Sequence, residues 1–231
     1  MIDRVVSEWP EFATYYNLLY LGKAAGITVL LTLIGATLGA LLGLALAVIR
    51  LTRHPALAPV RTIAFAYTET FRRVPFLVNL MLFFFVLQAI FSDVPLFYVA
   101  AVTTTLIAAA YLSEIMRAGL RSIHVNQWEA ARTLNFSFVQ TVRYVVLPQA
   151  WVVILPPGFA FFISFIKDTA LASHIGVEEL TYAGKVLNNK GFSPLLSFGA
   201  VMIIYFLISW PLARFGSKME RHLAASRNKR A

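Results

Sequence analysis

The chain has 231 residues, of which 59% are hydrophobic and 13% are charged. A soluble domain usually carries about 25% charged and about 45–50% apolar residues, so the composition argues against a soluble domain and predicts a membrane protein. The net charge is +9, but the basic residues lie between apolar segments and in the tail. This placement favours contact with anionic membrane lipids and excludes nucleic acid as an expected partner.

Other features of the composition bear on chemistry and organisation. Cysteine is absent, so neither a disulfide framework nor a thiolate metal site is expected. The four histidines show no metal-ligand spacing, and no catalytic motif is present, so we expect neither a metal site nor a catalytic residue. There is no low-complexity tract or Ser/Gly linker, which predicts one domain over residues 1–231. No cleaved signal peptide is expected at the N-terminus.

The first predicted membrane span, at about residues 21–49, contains Gly35, Gly39 and Gly43 at four-residue spacing. A stripe of small residues lets another helix approach closely in lipid. The alternative is the ordinary tolerance of glycine in membrane helices.

The second apolar segment, at about residues 57–90, is too long for one straight crossing. It contains Pro75, which removes a helical hydrogen bond. We therefore expect one crossing that is broken near Pro75.

The sequence predicts an all-α, polytopic membrane protein with five transmembrane helices. The predicted spans cover about residues 21–49, 57–90, 96–116, 150–166 and 195–215.

Orientation follows from the basic residues, which concentrate in cytoplasmic loops. With five spans, three basic regions fall on one side, so we expect the N-terminus outside and the C-terminus in the cytoplasm. These regions contain Arg50, Arg53 and Arg61; Arg117, Arg121, Arg132 and Arg143; and Arg214, Lys218, Arg221, Arg227, Lys229 and Arg230.

Between the third and fourth spans the sequence predicts a short helix, a turn and a second helix that ends near Pro148. Ala130 and Ala131 give the first helix a small apolar face, and Asn135 can adopt the left-handed conformation that closes a helix. Such a surface helix pair suits the groove of a soluble partner. It could alternatively be an amphipathic linker that rests on the headgroups.

This segment resembles the EAA loop of type I ABC importer permeases. Glu129, Ala130 and Ala131 match the Glu-Ala-Ala run, and Val145, Leu147 and Pro148 match its later positions at the family's spacing. The remaining position of the motif, a glycine in the family, is occupied here by Asn135. Asparagine also accepts a positive backbone dihedral angle.

Further stretches resemble the polar amino acid branch of that family, over about residues 20–218. Residues 69–75 resemble "ETFRGTP", residues 111–119 resemble "YISEIFRAG", and residues 165–172 resemble "LLKDTSLA". Arg73 replaces the glycine of the first run.

The resemblance implies a permease subunit of the bacterial inner membrane. It implies a second permease subunit, identical or related, and a periplasmic solute-binding protein that delivers the substrate. A cytoplasmic ATPase dimer would be driven through the coupling loop, at about residues 117–149. Residues assigned to coupling are Glu129, Ala130, Ala131, Asn135, Leu147 and Pro148. The chain has no Walker-type glycine loop, so it is not expected to be an enzyme or to bind a cofactor itself; ATP and Mg would be used by the ATPase.

Two groups of charged or polar residues are candidates for the substrate pathway, because intramembrane charges usually face an interior or a cavity. They are Glu69, Arg72 and Arg73 in the second span, and Lys167, Asp168 and Thr169 after the fourth. The first group could instead be a structural ion pair at a kink, and the second a helix end with snorkelling charge. Glu114 and Arg117, near the cytoplasmic end of the third span, are expected to have a structural role.

Two other classes of protein are alternatives. A secondary transporter driven by an ion gradient would show an inverted repeat with two interrupted helices, and the sequence has no such symmetry. A structural scaffold would leave the EAA-like loop and the charges of the second span unexplained. The sequence therefore predicts an importer permease for polar amino acids, with the particular cargo open.

Overall fold

A computed structural model describes residues 2–52, 54–91 and 93–228, and every regular element in these ranges is helical. The α-helices are α1 (Ile2–Phe12), α2 (Tyr15–Leu51), α3 (Ala58–Arg73), α4 (Phe76–Ile90), α5 (Leu96–Arg121), α6 (Val125–Thr133), α7 (Phe138–Gln140), α8 (Leu147–Asp168), α9 (Leu180–Asn189) and α10 (Pro194–Asn228). Two 3-10 segments (Pro55–Leu57 and Thr169–Ile175) and a π-helical turn (Thr141–Val146) complete the chain order. Arg53, Lys229 and Arg230 lie outside the described residues.

The helices confirm an all-α membrane protein. Among the described residues, four continuous helical stretches are long and apolar enough to span a membrane. A bent pair, Pro55–Arg73 with Phe76–Ile90, brings the number to five if it forms one crossing. The four continuous stretches are Tyr15–Leu51, Leu96–Arg121, Phe138–Ile175 and Pro194–Leu223.

The bent pair follows the whole length of α5. Leu57 lines the same cleft as Arg121, at the C-terminal end of α5. At the other end, Gln88 donates a hydrogen bond to the carbonyl of Val94 at 3.0 Å, just before α5 begins at Leu96. The pair therefore connects opposite ends of the bundle, as one broken crossing does.

The break itself lies at Val74 and Pro75, as predicted. Val74 is extended (φ −86°, ψ 133°), because a residue before proline is disfavoured in the helical region. The axes of the two halves differ by 114°.

Helices α2 and α5 pack most closely, through the predicted glycine stripe. A Cβ atom built on Gly39 would lie 2.6 Å from the Cβ atom of Ala108, and one on Gly43 would lie 2.9 Å from the amide nitrogen of Ser113. No larger side chain fits at these two positions without moving α5. The close approach expected from the spacing is confirmed.

A buried carboxylate joins three helices at the end of the bundle that contains the start of α2. Glu179 is fully buried and caps α9 by accepting hydrogen bonds from the amides of Thr181 (2.9 Å) and Tyr182 (2.8 Å). It also accepts from the hydroxyls of Tyr205 in α10 (3.0 Å) and Thr28 in α2 (3.4 Å). Burial raises the pKa of Glu179, against the opposing effect of these hydrogen bonds.

Candidate functional site

The loop between α5 and α8 begins with helix α6, which ends in a tight turn at Asn135. Asn135 has φ 58°, so the left-handed conformation expected of this position is confirmed. Its amide donates to the carbonyl of Arg132 at 2.9 Å, and the amide of Phe136 donates to the carbonyl of Ala131 at 3.0 Å. This pair of bonds is a Schellman motif, which satisfies carbonyls at the helix end.

The side chains of α6 divide between an outer and an inner face. Glu129 and Ala130 are exposed, and Leu134 after the helix is 69% exposed. Ala131 is only 2% exposed, so it packs within this chain. The surface free to meet a partner therefore contains Glu129, Ala130 and Leu134.

The second helix of the loop does not end at Pro148, contrary to the sequence-based expectation. Helix α7 passes through the π-helical turn directly into α8, and Pro148 occupies the first turn of α8. Proline is tolerated there because its missing N–H falls where the bonding pattern changes. Leu147 and Pro148 thus join the loop to the fourth span without a flexible linker.

Side chains also connect α6 to the helices that follow it, α7 and α8. Trp128 of α6 stacks on Phe138 of α7, with 6.3 Å between ring centroids. Gln149 of α8 donates from Nε2 to Oε1 of Gln127 at 3.1 Å. Ring packing and a hydrogen bond therefore connect α6 to α7 and α8 in addition to the chain itself.

A cleft of about 1010 Å³ separates this loop from the segment after α2. His54 and His124 cap the short helices on its two sides, each accepting a bond through Nδ1 at 3.3 Å from the amide two residues later. Its charged and aromatic lining residues include Arg121, Trp128, Glu129 and Arg132.

The first group of predicted pathway residues forms part of an ion-pair network. Glu69 contacts Arg72 at 3.6 Å and Arg73 at 2.7 Å, which confirms the pairing expected from helical spacing. Arg72 also lies 3.8 Å from Glu114 of α5. Glu114 in turn pairs with Arg117.

A sixth charge, Arg50 of α2, completes the network. It contacts Glu114 at 3.1 Å, donates to Thr68 Oγ1 at 2.9 Å, and lies over the ring of Phe65. The network consequently ties α2, α3 and α5 together next to the break in the second crossing. It contains four arginines and two glutamates, and Arg72 and Arg73 remain 34% and 79% exposed.

The second predicted group lies at the far end of α8. Lys167 is exposed, Asp168 is half-buried, and Thr169 is buried with its hydroxyl donating to the carbonyl of Ile166 at 2.8 Å. Within the described residues, no hydrogen bond or ion pair joins this group to Glu69, Arg72 or Arg73. The two groups are separate features of the same bundle.

Sequence reasoning did not assign Arg50 to this site and treated Glu114 as structural. A signal existed for Glu114, because a carboxylate inside a predicted span needs a partner. Nothing in the spacing identified Arg50, since it lies 64 positions away from Glu114.

Comparison with known proteins decides the family. Residues 39–224 match the family described as "Binding-protein-dependent transport system inner membrane component". The chain belongs to this family.

Curated relatives place the permease in the polar amino acid branch. It is 36% identical over 163 residues to the glutamine transport system permease of Escherichia coli K12, covering 70% of this chain and 74% of the relative. It is 33% identical to the L-cystine transport system permease of Bacillus subtilis (85% and 83% covered). It is 31% identical to the probable glutamine ABC transporter permease of the same organism (88% and 94% covered).

Solved structures agree with the fold of the permease. A crystal structure of an amino acid ABC transporter with histidines matches with a TM-score of 0.80 at 29% identity, covering 89% of this chain and 94% of that one. An inward-facing methionine ABC transporter matches with a TM-score of 0.77 at 21% identity, covering 91% and 99%, which supports the fold alone. The permease is thus a non-catalytic, multi-pass subunit of the inner membrane, of the type I ABC importer class.

Proposed function

We propose that the permease imports polar amino acids, or closely related solutes, from the periplasm to the cytoplasm. The relatives' names support this cargo class, since they include glutamine, L-cystine and arginine systems. The complete importer contains a second copy of the permease or a related chain, a cytoplasmic ATPase dimer that uses ATP and Mg, and a periplasmic solute-binding protein.

The orientation that fits this function places the coupling loop in the cytoplasm. The segment after α2 and the loop after α5 meet at one cleft, so their arginines share one end of the bundle. The N-terminal helix contacts the segment before α10 at the other end. Basic loops favour the cytoplasm, which puts the N-terminus outside.

The exposed surface of α6 is the observation that supports coupling. Glu129, Ala130 and Leu134 offer a carboxylate, a small residue and an apolar anchor in one turn of helix and its cap. A donor on the ATPase forms a charge-assisted hydrogen bond with Glu129, which is stronger than a neutral one. Leu134 enters an apolar groove of the same partner.

The rigid link from α6 to α8 gives this contact a mechanical consequence. Closure of the ATPase dimer displaces α6, and the continuous path through Leu147 and Pro148 carries the displacement along α8. Lys167 and Asp168 lie at the other end of that helix. ATP-driven motion in the cytoplasm therefore changes the position of charges at the opposite side of the bundle.

Both charged groups suit a zwitterionic substrate. The arginine excess around Glu69 and Glu114 attracts a carboxylate, with Arg72 and Arg73 as its exposed members. Asp168 and Lys167 supply an anion and a cation for the substrate's amino and carboxyl groups. A charge at mid-bilayer costs about 2.5–3.5 kcal/mol on insertion scales, which favours a polar pathway beside the charges of the second span.

The coupling proposal is tested with Glu129→Lys combined with Leu134→Glu. Both positions are exposed, so the permease should insert and fold normally while it loses the ATPase on purification and substrate-stimulated ATP hydrolysis in reconstituted membranes. Asn135→Gly is the matched control in the same turn. Glycine accepts the same φ, so this variant should keep the ATPase.

Two outcomes would contradict the proposal. Retention of the ATPase and of stimulated hydrolysis by the double variant would exclude α6 as the coupling surface. Unchanged uptake of every polar amino acid by Asp168→Asn would exclude Asp168 from the pathway.

A further inference from the structure

Helix α1 is strongly amphipathic, although it has no part in the proposed transport mechanism. Successive residues of a helix are 100° apart, so positions three or four apart share a face. The apolar residues form one continuous arc and the polar ones the opposite arc. The apolar arc contains Val5, Val6, Trp9 and Phe12, and the polar arc contains Arg4, Ser7, Glu8 and Glu11.

One edge of the apolar arc is docked on the protein. Phe12 is 2% exposed and meets Phe192 edge-on, with 5.2 Å between ring centroids. Val5 packs against the hydrophobic cluster that contains Phe12, Leu187 and Leu196. This contact fixes the rotation of α1 about its own axis.

Polar bonds fix the position of α1 as well. Glu8 Oε2 accepts from the amide of Ser193 at 2.6 Å, and Arg4 Nη2 donates to the carbonyl of Gly191 at 3.0 Å. Asn17 Nδ2 donates to the carbonyls of Glu11 and Phe12, both at 3.2 Å. The helix is therefore held at both ends, with a defined face turned outward.

The outward edge of the apolar arc has no cover within the chain. Val6 is 67% exposed and Trp9 is 57% exposed. Only two residues separate α1 from α2, whose first residues Tyr15 and Tyr16 are 72% and 80% exposed. Because α2 enters the membrane there, this edge lies at the level of the membrane surface.

We infer that α1 is a membrane-surface anchor, and that lipid covers the edge of its apolar arc formed by Val6 and Trp9. Tryptophan and tyrosine favour the membrane–water interface, where an apolar ring and a polar tip are both accommodated. The acidic polar arc offers no cluster of basic residues for anionic headgroups, so zwitterionic lipid is sufficient. This inference holds whichever end of the bundle faces the cytoplasm.

The absence of native cysteine makes the test direct. Single-cysteine variants Val6→Cys and Glu11→Cys are labelled with a nitroxide and reconstituted, in the assembled importer, into vesicles of phosphatidylethanolamine and phosphatidylglycerol. Both positions are exposed, and they lie on opposite arcs. Accessibility of each label to oxygen, which concentrates in lipid, is compared with accessibility to a water-soluble nickel complex.

The label at position 6 should favour oxygen severalfold over nickel, and the label at position 11 should favour nickel. Reducing the phosphatidylglycerol content should leave this difference unchanged. Equal, water-like accessibility at both positions would overturn the inference. So would a label at position 6 that becomes protected only when the periplasmic binding protein is added, because protein rather than lipid would then cover the arc.

Discussion

Arg50 at the end of α2 and Glu114 in α5 form an ion pair of 3.1 Å, although 64 positions separate them in the chain. The Arg50 side chain is 8% exposed, and Glu114 is shared with Arg72 and Arg117. Glu114 is consequently the one carboxylate that neutralises the buried Arg50, among the described residues.

Glu114→Ala should therefore destabilise the permease by about 2 kcal/mol, somewhat below the range of about 3–5 kcal/mol for breaking a fully buried pair. The expected loss of stability is smaller because the Glu114 side chain is 23% exposed. Thermal unfolding of the purified protein measures the loss. Arg73→Ala is the control, because its side chain is 79% exposed and its pair with Glu69 contributes at most about 1 kcal/mol. Equal effects of the two substitutions would contradict this account.

Substitution in the glycine stripe should separate α2 from α5. In Gly39→Val the new Cβ atom lies 2.6 Å from the Cβ atom of Ala108, so one helix backbone must move. We expect a loss of about 1–3 kcal/mol or more, seen as aggregation and low yield in detergent chromatography. Gly26→Val is the matched control in the same helix, since no atom lies within 4 Å of that position. A monodisperse, stable Gly39→Val variant would show that the helices are less tightly packed.

Glu179→Ala should loosen the junction of α2, α9 and α10. Removal of the carboxylate leaves the amides of Thr181 and Tyr182 and the hydroxyl of Tyr205 without their acceptor. An unsatisfied buried donor costs about 1–3 kcal/mol. Glu179→Gln keeps one carbonyl oxygen and should lower the unfolding temperature less. If the two variants unfold alike, the acceptor bonds are not the source of stability.

Acid should release α1 from the protein. The Ser193 amide, and then the Arg4 guanidinium, lower the pKa of the Glu8 carboxyl, so its contribution is present above the ordinary glutamate pKa and is lost as the pH falls through the lowered value. A nitroxide on Ser7→Cys should become more mobile as the pH falls below the ordinary range of a glutamate carboxyl. Glu8→Gln should show the mobile spectrum already at neutral pH. If the spectrum of the labelled Ser7→Cys variant with Glu8 intact does not change with pH, Glu8 does not have this role.

Reporter fusions test the proposed orientation. Fusions after Asn17 and Lys190 should be active as periplasmic reporters, and fusions after Thr52, Asn126 and Arg227 as cytoplasmic ones. The reason is that the basic loops remain in the cytoplasm. A periplasmic signal after Asn126 would exclude both the orientation and contact of α6 with a cytoplasmic ATPase.

Features set by neighbouring residues were predictable from the sequence. The break at Pro75 and the left-handed turn at Asn135 depend on local backbone restrictions, which act in any surroundings. The pairing of Glu69 with Arg72 and Arg73 follows from helical spacing. The spans themselves follow from the length and hydrophobicity of each segment.

The helix that continues through Pro148 marks the limit of such local rules. Proline ends many helices, but it is also tolerated in a first turn, and only the surrounding structure distinguishes the two cases. Packing of Val146 and Ala150 against α2 and α5 favours the continuous helix here. The sequence placed Ala131 with Ala130 on the face offered to a partner, whereas Ala131 is 2% exposed and packs within this chain. Both faces of α6 carry small or polar residues, so the local pattern does not distinguish them.

The sequence by itself determined the family, the helical spans and the position of the EAA-like loop, because periodicity, composition and spaced motifs are properties of short segments. Only the tertiary structure decided that Arg50 neutralises Glu114 and that Glu179 joins three helices. It likewise decided that α1 docks beside Gly191 and Ser193. These contacts join residues from distant parts of the chain, and a helical pattern specifies which face is buried without specifying which helix will cover it.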